Sequence, residues 1–172
     1  MNTAILMRLK KSVPFSERLN EFIVQWYEKR KEIFVFTDKD DFDGDDLEGT
    51  LKRHIERFRA TGKIHVWNGA SDNTIFGDAT VNTYFRCWHD YIHITSGYGY
   101  DLFGETMTME AQRSMLPSDW KFERELIYSE IVGQALYFQH YGYFLADQRQ
   151  FTVAFLMNAH GALNTKFKSY EN

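Results

Sequence analysis

The sequence has few of the residues that constrain or interrupt a chain. Among its 172 residues there is one cysteine, Cys87, and there are two prolines, Pro14 and Pro117. A lone cysteine excludes an internal disulfide, and the residues around Cys87 match no zinc-finger or redox spacing. The scarcity of proline leaves long stretches of mixed apolar and charged residues, which favours a mainly helical fold.

Long hydrophobic runs and an excess of positive charge are also absent from the sequence. No run reaches the roughly eighteen apolar residues of a transmembrane helix, so we expect no integral membrane association. The apolar run near the N-terminus is shorter than the core of a secretory signal, and a cytoplasmic location is therefore expected. Because 24 acidic residues outnumber 20 Lys and Arg, giving a net charge of −4, we expect no nucleic-acid partner.

Aromatic residues, in contrast, are abundant and make up 17% of the chain, with fifteen Phe and ten Tyr. A chain of this length folds most simply as one domain, residues 1–172, with a core large enough to need no disulfide. Rings in this number predict an aromatic-rich core and a pocket or interface lined with rings. Such a surface would suit a small-molecule ligand, and a homo-oligomer is also compatible with it.

Apolar periodicity predicts a mainly α, single-domain bundle of about five or six helices. The predicted helices cover residues 16–31, 47–60, 79–95, 105–115, 118–141 and 147–163. Short extended segments are expected near 33–37 and 64–76, where β-prone residues are bounded by turn formers. The acidic stretch 38–46 lacks acceptable end ligands for a calcium loop, so we expect it to be a solvated loop.

One group of residues in the predicted helix 79–95 indicates chemistry rather than packing. Its sequence is H89-D90-Y91-I92-H93, in which the two imidazoles are four residues apart. On a helix this spacing brings His89, Asp90 and His93 toward one side. A stripe of large apolar residues beside them places the group near the core, where an unpaired polar side chain is unfavourable by roughly 1–3 kcal/mol.

A further ligand candidate, Glu105, lies eleven residues after His93. The glycine-punctuated stretch between them, S96 to G104, can fold back and bring the carboxylate to the histidines. Two imidazoles with one or two carboxylates suit zinc, or divalent iron or manganese, and leave a position for water or substrate. We therefore predict a metal-site core of about residues 79–142, with His89, Asp90, His93 and Glu105 as ligands.

These residues also carry a resemblance to a known family. H89-D90-x-x-H93, eleven residues and then Glu105 match the H-D-x-x-H-x(11)-E motif of the coenzyme-Q biosynthesis family that modifies the ring of the quinone precursor. The stretches H93-I94-T95-S96-G97 and G104-E105 are similar to the sequence around that motif, and the resemblance covers about residues 84–110. It implies a helical metal-binding protein, the same four metal ligands, and decarboxylation or hydroxylation of an aromatic ring.

Three more polar residues are expected close to the metal. Arg86 lies on the same predicted helix as the motif, and Glu130 and Gln134 stand out within the almost wholly apolar segment 126–138. A buried carboxylate requires a partner. We therefore interpret Glu130 as an additional ligand or a hydrogen-bond acceptor for a ligand histidine, or else as an ion-pair partner of Arg86.

From these observations we predict a metal-dependent enzyme that acts on a planar or apolar small molecule. The reaction would be the ring chemistry that the resemblance implies, or metal-assisted hydrolysis. One alternative is an HD-type nucleotide phosphohydrolase, in which His54 or His65 would act with Asp147 at the metal site. Another is a non-catalytic binding protein in which a closed shell of protein ligands holds a structural metal.

Overall fold

The structure, a computed structural model, describes residues 12–170. The N-terminal apolar run lies in residues 1–11, outside the described part. The predicted mainly helical fold is confirmed. The helices are α1 Glu17–Glu28, α2 Leu47–Thr61, α3 Ala79–Ser96, α4 Leu102–Met115, α5 Lys121–Tyr128, α6 Gln134–Tyr141, α7 Gln148–Met157 and α8 Ala159–Leu163. Within residues 12–170, no helix combines the length and the apolar character needed to cross a bilayer.

Side chains fix where most of the helices begin. In six of them the residue before the first turn accepts a hydrogen bond from a backbone N–H inside that turn. These caps are Ser16, Asp46, Asp78, Asp101, Asp147 and Asn158. The cap at Asp101 starts α4 three residues earlier than the predicted start at Glu105. Glu105 therefore lies inside the first turn of α4, not before it.

Three helices end at glycines whose backbone turns into the left-handed region, and one of them is α6, where Gly142 has a φ of 77°. Gly62 after α2 has a φ of 66°, and Gly97 after α3 has a φ of 70°. Other residues adopt this conformation at a cost, because their Cβ approaches the backbone. Gly97 thus stops α3 soon after His93 and turns the chain back toward α4.

The C-terminal helices differ from the sequence prediction in two places. The long helix predicted from residue 118 begins later, because the chain turns once more and α5 starts after Trp120 without a side-chain cap. A π-helical turn, Ser129–Gly133, then joins α5 and α6 into one continuous helix. The last predicted helix is split, because Asn158 adopts extended backbone and caps α8 through Gly161 N–H.

A small parallel sheet forms one edge of the molecule. Strand β1, Phe34–Thr37, pairs with β2, Ile64–Trp67, and α2 connects the two strands. Both strands lie within the predicted extended segments. The remainder of the second segment forms turns rather than a strand. Within it, the backbone carbonyl of Thr74 accepts hydrogen bonds from the N–H of Gly77 and from the buried guanidinium of Arg149.

The hydrophobic core fixes the orientation of α3. Trp88, at the middle of that helix, is fully buried. Its ring lies 5.3 Å from Phe22 and 6.1 Å from Trp26, both on α1, and 6.3 Å from Phe85. With this side of α3 packed on α1, the adjacent side, which carries the histidines, faces α4. A smaller apolar cluster joins α6, α7 and α8 around Tyr137 and Phe151.

Candidate metal centre

Three of the predicted ligands converge between α3 and α4. His89 and His93 lie one turn apart on α3, and their Nε2 atoms are 3.0 Å from each other. Glu105, from the first turn of α4, places Oε2 3.3 Å from Nε2 of His89 and 3.4 Å from Nε2 of His93. His93 has no exposed side-chain surface, while His89 and Glu105 are 18% and 16% exposed. The three side chains form a group that could hold a metal ion.

The distances within this group fit a shared cation. Zinc bonds to nitrogen and oxygen are about 2.0–2.2 Å long, so neighbouring ligand atoms lie roughly 2.8–3.6 Å apart for bond angles between 90° and the tetrahedral value. The three separations, 3.0, 3.3 and 3.4 Å, fall within that range. Three atoms so arranged occupy one face of an ion and leave its opposite face for other ligands.

Hydrogen bonds orient both imidazoles with Nε2 toward this point. The Nδ1–H of His93 donates to the backbone carbonyl of Tyr98 over 2.9 Å. The Nδ1–H of His89 donates to the amide oxygen of Gln112 over 3.1 Å. Because both acceptors hold the proton on Nδ1, each Nε2 is the nitrogen left to bind a metal.

The histidines and Glu105 shift one another's pKa values and so determine the charge of the group. Burial lowers the pKa of His89, but the carboxylate of Glu105 outweighs this effect and raises that pKa to about 9. Burial raises the pKa of Glu105, while the two histidines act in the opposite direction and bring it down to about 2. At neutral pH the group therefore holds an ionised carboxylate and a proton on His89, and a divalent cation would displace that proton.

Asp90, the remaining predicted ligand, does not belong to this group. It follows His89 directly, so its side chain is rotated by about 100° around the helix axis from that of His89. Side chains four residues apart lie one above the other on a helix, as those of His89 and His93 do. Asp90 is four residues away from neither histidine. Asp90 lines the adjacent cleft instead, where burial raises the pKa of its carboxyl group despite the neighbouring histidines.

Arg86 lies in the same cleft, but its contacts are mainly with backbone. One guanidinium nitrogen donates to the carbonyls of Trp67 and Gly69, and another donates to that of Ala70. The guanidinium carbon lies 5.2 Å from the ring of Trp67. Arg86 thus fixes the segment after β2 as one wall of the cleft.

Glu130 and Gln134 interact with each other and not with the ligand histidines. The amide of Gln134 donates to Glu130 over 2.9 Å, and the hydroxyl of Thr152 on α7 donates to the other carboxyl oxygen over 3.1 Å. Burial raises the pKa of Glu130 to about 8, although these hydrogen bonds oppose the shift. Glu130 was predicted as an acceptor for a ligand histidine, but Gln112 and Tyr98 are the residues that accept these hydrogen bonds. Glu130 instead connects the π-helical turn to α7 through Thr152.

The residues of the alternative HD-type site are dispersed. Asp147 caps α7 by accepting from the backbone N–H of Gln150. His54 and His65 line the cleft, on α2 and β2. Among the described residues, the group suited to a metal contains none of the three.

A cleft of about 740 Å³ opens beside the group. His89 and Glu105 form part of its lining, so a bound metal would be accessible from it. The loop 38–46 forms one wall, which the sequence prediction of a plain solvated loop missed. The aromatic lining comes from Phe42, Trp67, Tyr100, Phe138, Tyr143, Phe144 and Tyr170. The expected ring-lined pocket is therefore present at this place.

A hydrogen-bonded chain that sequence reasoning missed links the loop to the site. Asp41 accepts from Arg57 over 2.6 Å and bonds Nε2 of His54 over 3.0 Å. The other ring nitrogen of His54 lies 2.7 Å from the hydroxyl of Tyr100, whose ring is 4.6 Å from that of His93. Burial raises the pKa of Tyr100, so the phenol keeps its proton. No sequence spacing links these residues, because they meet only in the folded chain.

Comparisons of the chain with protein-family models, curated proteins and solved structures find no match. The similarity to the coenzyme-Q biosynthesis family therefore depends on the quoted motif alone.

Proposed function

We propose that this protein is a divalent-metal-dependent enzyme acting on a small molecule bound in the cleft. The observation that carries the proposal is the convergence of two Nε2 atoms and one carboxylate oxygen at mutual distances of 3.0–3.4 Å. Structural zinc is usually enclosed by four protein ligands, whereas a catalytic metal commonly has three and an open position. The three-residue group fits the catalytic pattern.

Zinc is the metal we propose first, because two imidazoles and one carboxylate form a known catalytic zinc shell. Divalent iron or manganese would also fit this ligand set. Zinc, when bound, would lower the pKa of a coordinated water to about 7 and so supply a hydroxide nucleophile near neutral pH. Metal-assisted hydrolysis is accordingly the reaction that needs no additional cofactor.

Ring decarboxylation, in which carbon dioxide leaves and a proton takes its place, is the second candidate reaction, whereas ring hydroxylation would also require dioxygen or another two-electron oxidant. Decarboxylation is favoured by the motif resemblance, by the helical fold and by the aromatic lining of the cleft. His89, His93 and Glu105 would act as the motif implies. Asp90 would then contribute to the cleft rather than to the first coordination shell.

The proposal is tested by the metal content of purified protein after incubation with zinc, iron(II) or manganese(II). We expect wild type to retain one of these metals stoichiometrically. Glu105→Ala and His93→Ala each remove one of three ligands, and we expect metal affinity to fall by well over tenfold. Glu110→Ala, at an exposed glutamate on the same helix, is the matched control and should bind metal as wild type does.

The same measurement separates the phosphohydrolase alternative. In that case His54→Ala or His65→Ala, together with Asp147→Asn, would abolish metal binding, and Glu105→Ala would not. Equal metal content in wild type and in the Glu105 and His93 variants would overturn the proposed function.

A further inference from the structure

The charged lining of the cleft is strongly biased toward acids. Five carboxylates line it, whereas Arg86 is the one lysine or arginine that does so among residues 12–170. The acidic residues are Asp40, Asp41, Asp90, Asp101 and Glu105. A divalent metal bound by Glu105 would offset part of this negative charge. The cleft would still hold more negative than positive charge.

Three of these carboxylates already have partners. Asp41 pairs with Arg57 and His54, Asp101 caps α4, and Glu105 belongs to the metal group. Asp40 accepts a backbone hydrogen bond from Phe42 at the exposed edge of the cleft. Its carboxylate is therefore only partly engaged and faces the cleft opening.

Asp90 is the carboxylate without a partner. It is half-buried in the cleft beside the metal group, and no hydrogen bond or ion pair to it occurs within the described part of the chain. Arg86 lies one turn earlier on α3, but its N–H groups are directed at the carbonyls of residues 67–70. The neighbouring histidines and Arg86 attract this carboxylate without a direct contact, so a cation bound in the cleft would be its first direct partner.

Aromatic rings line the same cleft as these two carboxylates. Trp67 and Tyr170 lie in the cleft lining, and so do Phe138 and Phe144, whose rings stack at 4.5 Å. Aromatic faces attract organic cations, and the attraction grows when water is excluded. Rings and carboxylates together match a cationic group attached to an apolar or planar body.

We infer that the cleft selects an organic cation, an amine or quaternary ammonium on an apolar or aromatic body, with its charge beside Asp90. This inference rests on the proposed function and names the substrate class for the same site. The cation would complement Asp90, while its body would lie against the rings. Phosphorylated or carboxylated molecules would be repelled by the same lining, so the inference favours hydrolysis over ring decarboxylation, whose substrate carries a carboxylate.

The test uses benzyltrimethylammonium as the probe and phenylmethanesulfonate as an anion of similar size. The quaternary ammonium has no lone pair, so it cannot bind through the metal. Affinities are measured by calorimetry on zinc-loaded protein, with the metal content of each sample determined in parallel. We expect the cation to bind at least about tenfold more tightly than the anion.

Asp90→Asn should weaken binding of the cation by about tenfold while metal content stays unchanged. Asp45→Asn removes the same charge from an exposed residue of the loop 38–46 that does not line the cleft, and should have no effect. Circular dichroism verifies that both variants are folded. Equal or tighter binding of the anion, or an unchanged affinity in Asp90→Asn, would overturn the inference.

Failure of the inference and failure of the proposed function give different results. Wild type that retains metal but prefers the anion overturns only the substrate class. Wild type that retains no metal overturns the proposed function, whichever probe it binds.

Discussion

Gln112 contributes more to the orientation of His89 than to the packing of the core. Its side chain is fully buried, and its oxygen accepts from Nδ1 of His89. Its amide nitrogen has no hydrogen-bond partner in the structure. A buried donor without a partner is unfavourable, so the amide is better explained by its effect on His89 than by a contribution to packing.

Gln112→Leu should therefore separate metal affinity from stability. The substitution removes the acceptor that orients His89, and we expect metal affinity to fall by about 10–100-fold. It removes the unpaired donor but also leaves the Nδ1–H of His89 without its acceptor, and because these two effects oppose each other the stability of metal-free protein should change by no more than about 1 kcal/mol. Competitive titration against a metal-binding dye and urea unfolding measure the two quantities.

Gln112→Glu is the matched variant, because it keeps an oxygen acceptor at the same place. We expect it to bind metal at least as tightly as wild type. Equal losses of affinity in the Leu and Glu variants would contradict an orienting role for Gln112.

Glu130 should make stability depend on pH. Burial raises its pKa from the ordinary 4.5 to about 8, so the folded chain keeps a proton that the unfolded chain releases. Between these two values the free energy of unfolding falls as pH rises, by up to about 1.4 kcal/mol per pH unit. Glu130→Gln cannot release a proton and should show a shallower decline in urea unfolding between pH 5 and pH 8.

Chelator is present throughout this comparison, so that metal binding does not contribute. Glu56→Gln, at an exposed glutamate of α2, serves as the control and should follow wild type. Parallel pH profiles for wild type and Glu130→Gln would show that residue 130 titrates near its ordinary pKa in the fold.

The sequence could predict residues that interact locally, but not residues that meet through tertiary packing. His89 and His93 were found because helix periodicity relates them directly. Asp90 was included because it lies three residues before His93 and belongs to the quoted motif, but its side chain is rotated by about 100° around the helix axis from that of His89. Gln112 and Tyr98 gave no comparable signal, since a glutamine and a backbone carbonyl are uninformative until the neighbouring helices are placed.

At the scale of elements, the site depends on the turn between α3 and α4. Gly104, at the start of α4, packs against the backbone of Gly99, and a Cβ at residue 104 would overlap the Gly99 carbonyl. This close approach sets the position of Glu105 relative to the two histidines.

Gly104→Ala should consequently weaken metal binding by more than about tenfold, because the backbone must separate and carry Glu105 away from its position. Gly62→Ala is a suitable comparison, since it strains a positive φ of 66° without meeting any neighbouring atom. We expect Gly62→Ala to lower stability by about 1–2 kcal/mol and to leave metal affinity unchanged. Calorimetric titration and thermal melting distinguish the two, and unchanged metal affinity in Gly104→Ala would contradict this account.

Most elements were predictable because their signals are local. The Ser16, Asp46 and Asp147 caps, the glycine after α2 and the β-prone segments all appear in short stretches of sequence. The π-helical turn and the break at Asn158 were not predicted. Both depend on how the last helices pack on one another, as in the hydrogen bond between Glu130 and Thr152.

At the scale of the whole molecule, the core is complete without a metal. Trp88 and its neighbours form a continuous buried cluster, and a second cluster surrounds Tyr137 and Phe151. The three proposed ligands lie at the edge of the first cluster and link only two helices. Folding should therefore not require the ion.

Chelation should accordingly leave the helices intact. We expect unchanged far-ultraviolet circular dichroism after metal removal, and a melting temperature lower by roughly 5–10 °C than with metal at a hundredfold excess over its Kd. Loss of helical signal on chelation at room temperature would indicate a structural metal and support the non-catalytic alternative.

The proposed metal site is built from one short stretch of the chain. The three proposed ligands and the acceptors of both imidazoles all fall between residues 89 and 112. Everything that defines the coordination geometry is thus encoded in one contiguous helical hairpin. Such a hairpin could be grafted onto an unrelated helical scaffold with its binding properties intact, provided that the recipient supplies an apolar surface for the Trp88 side of the first helix.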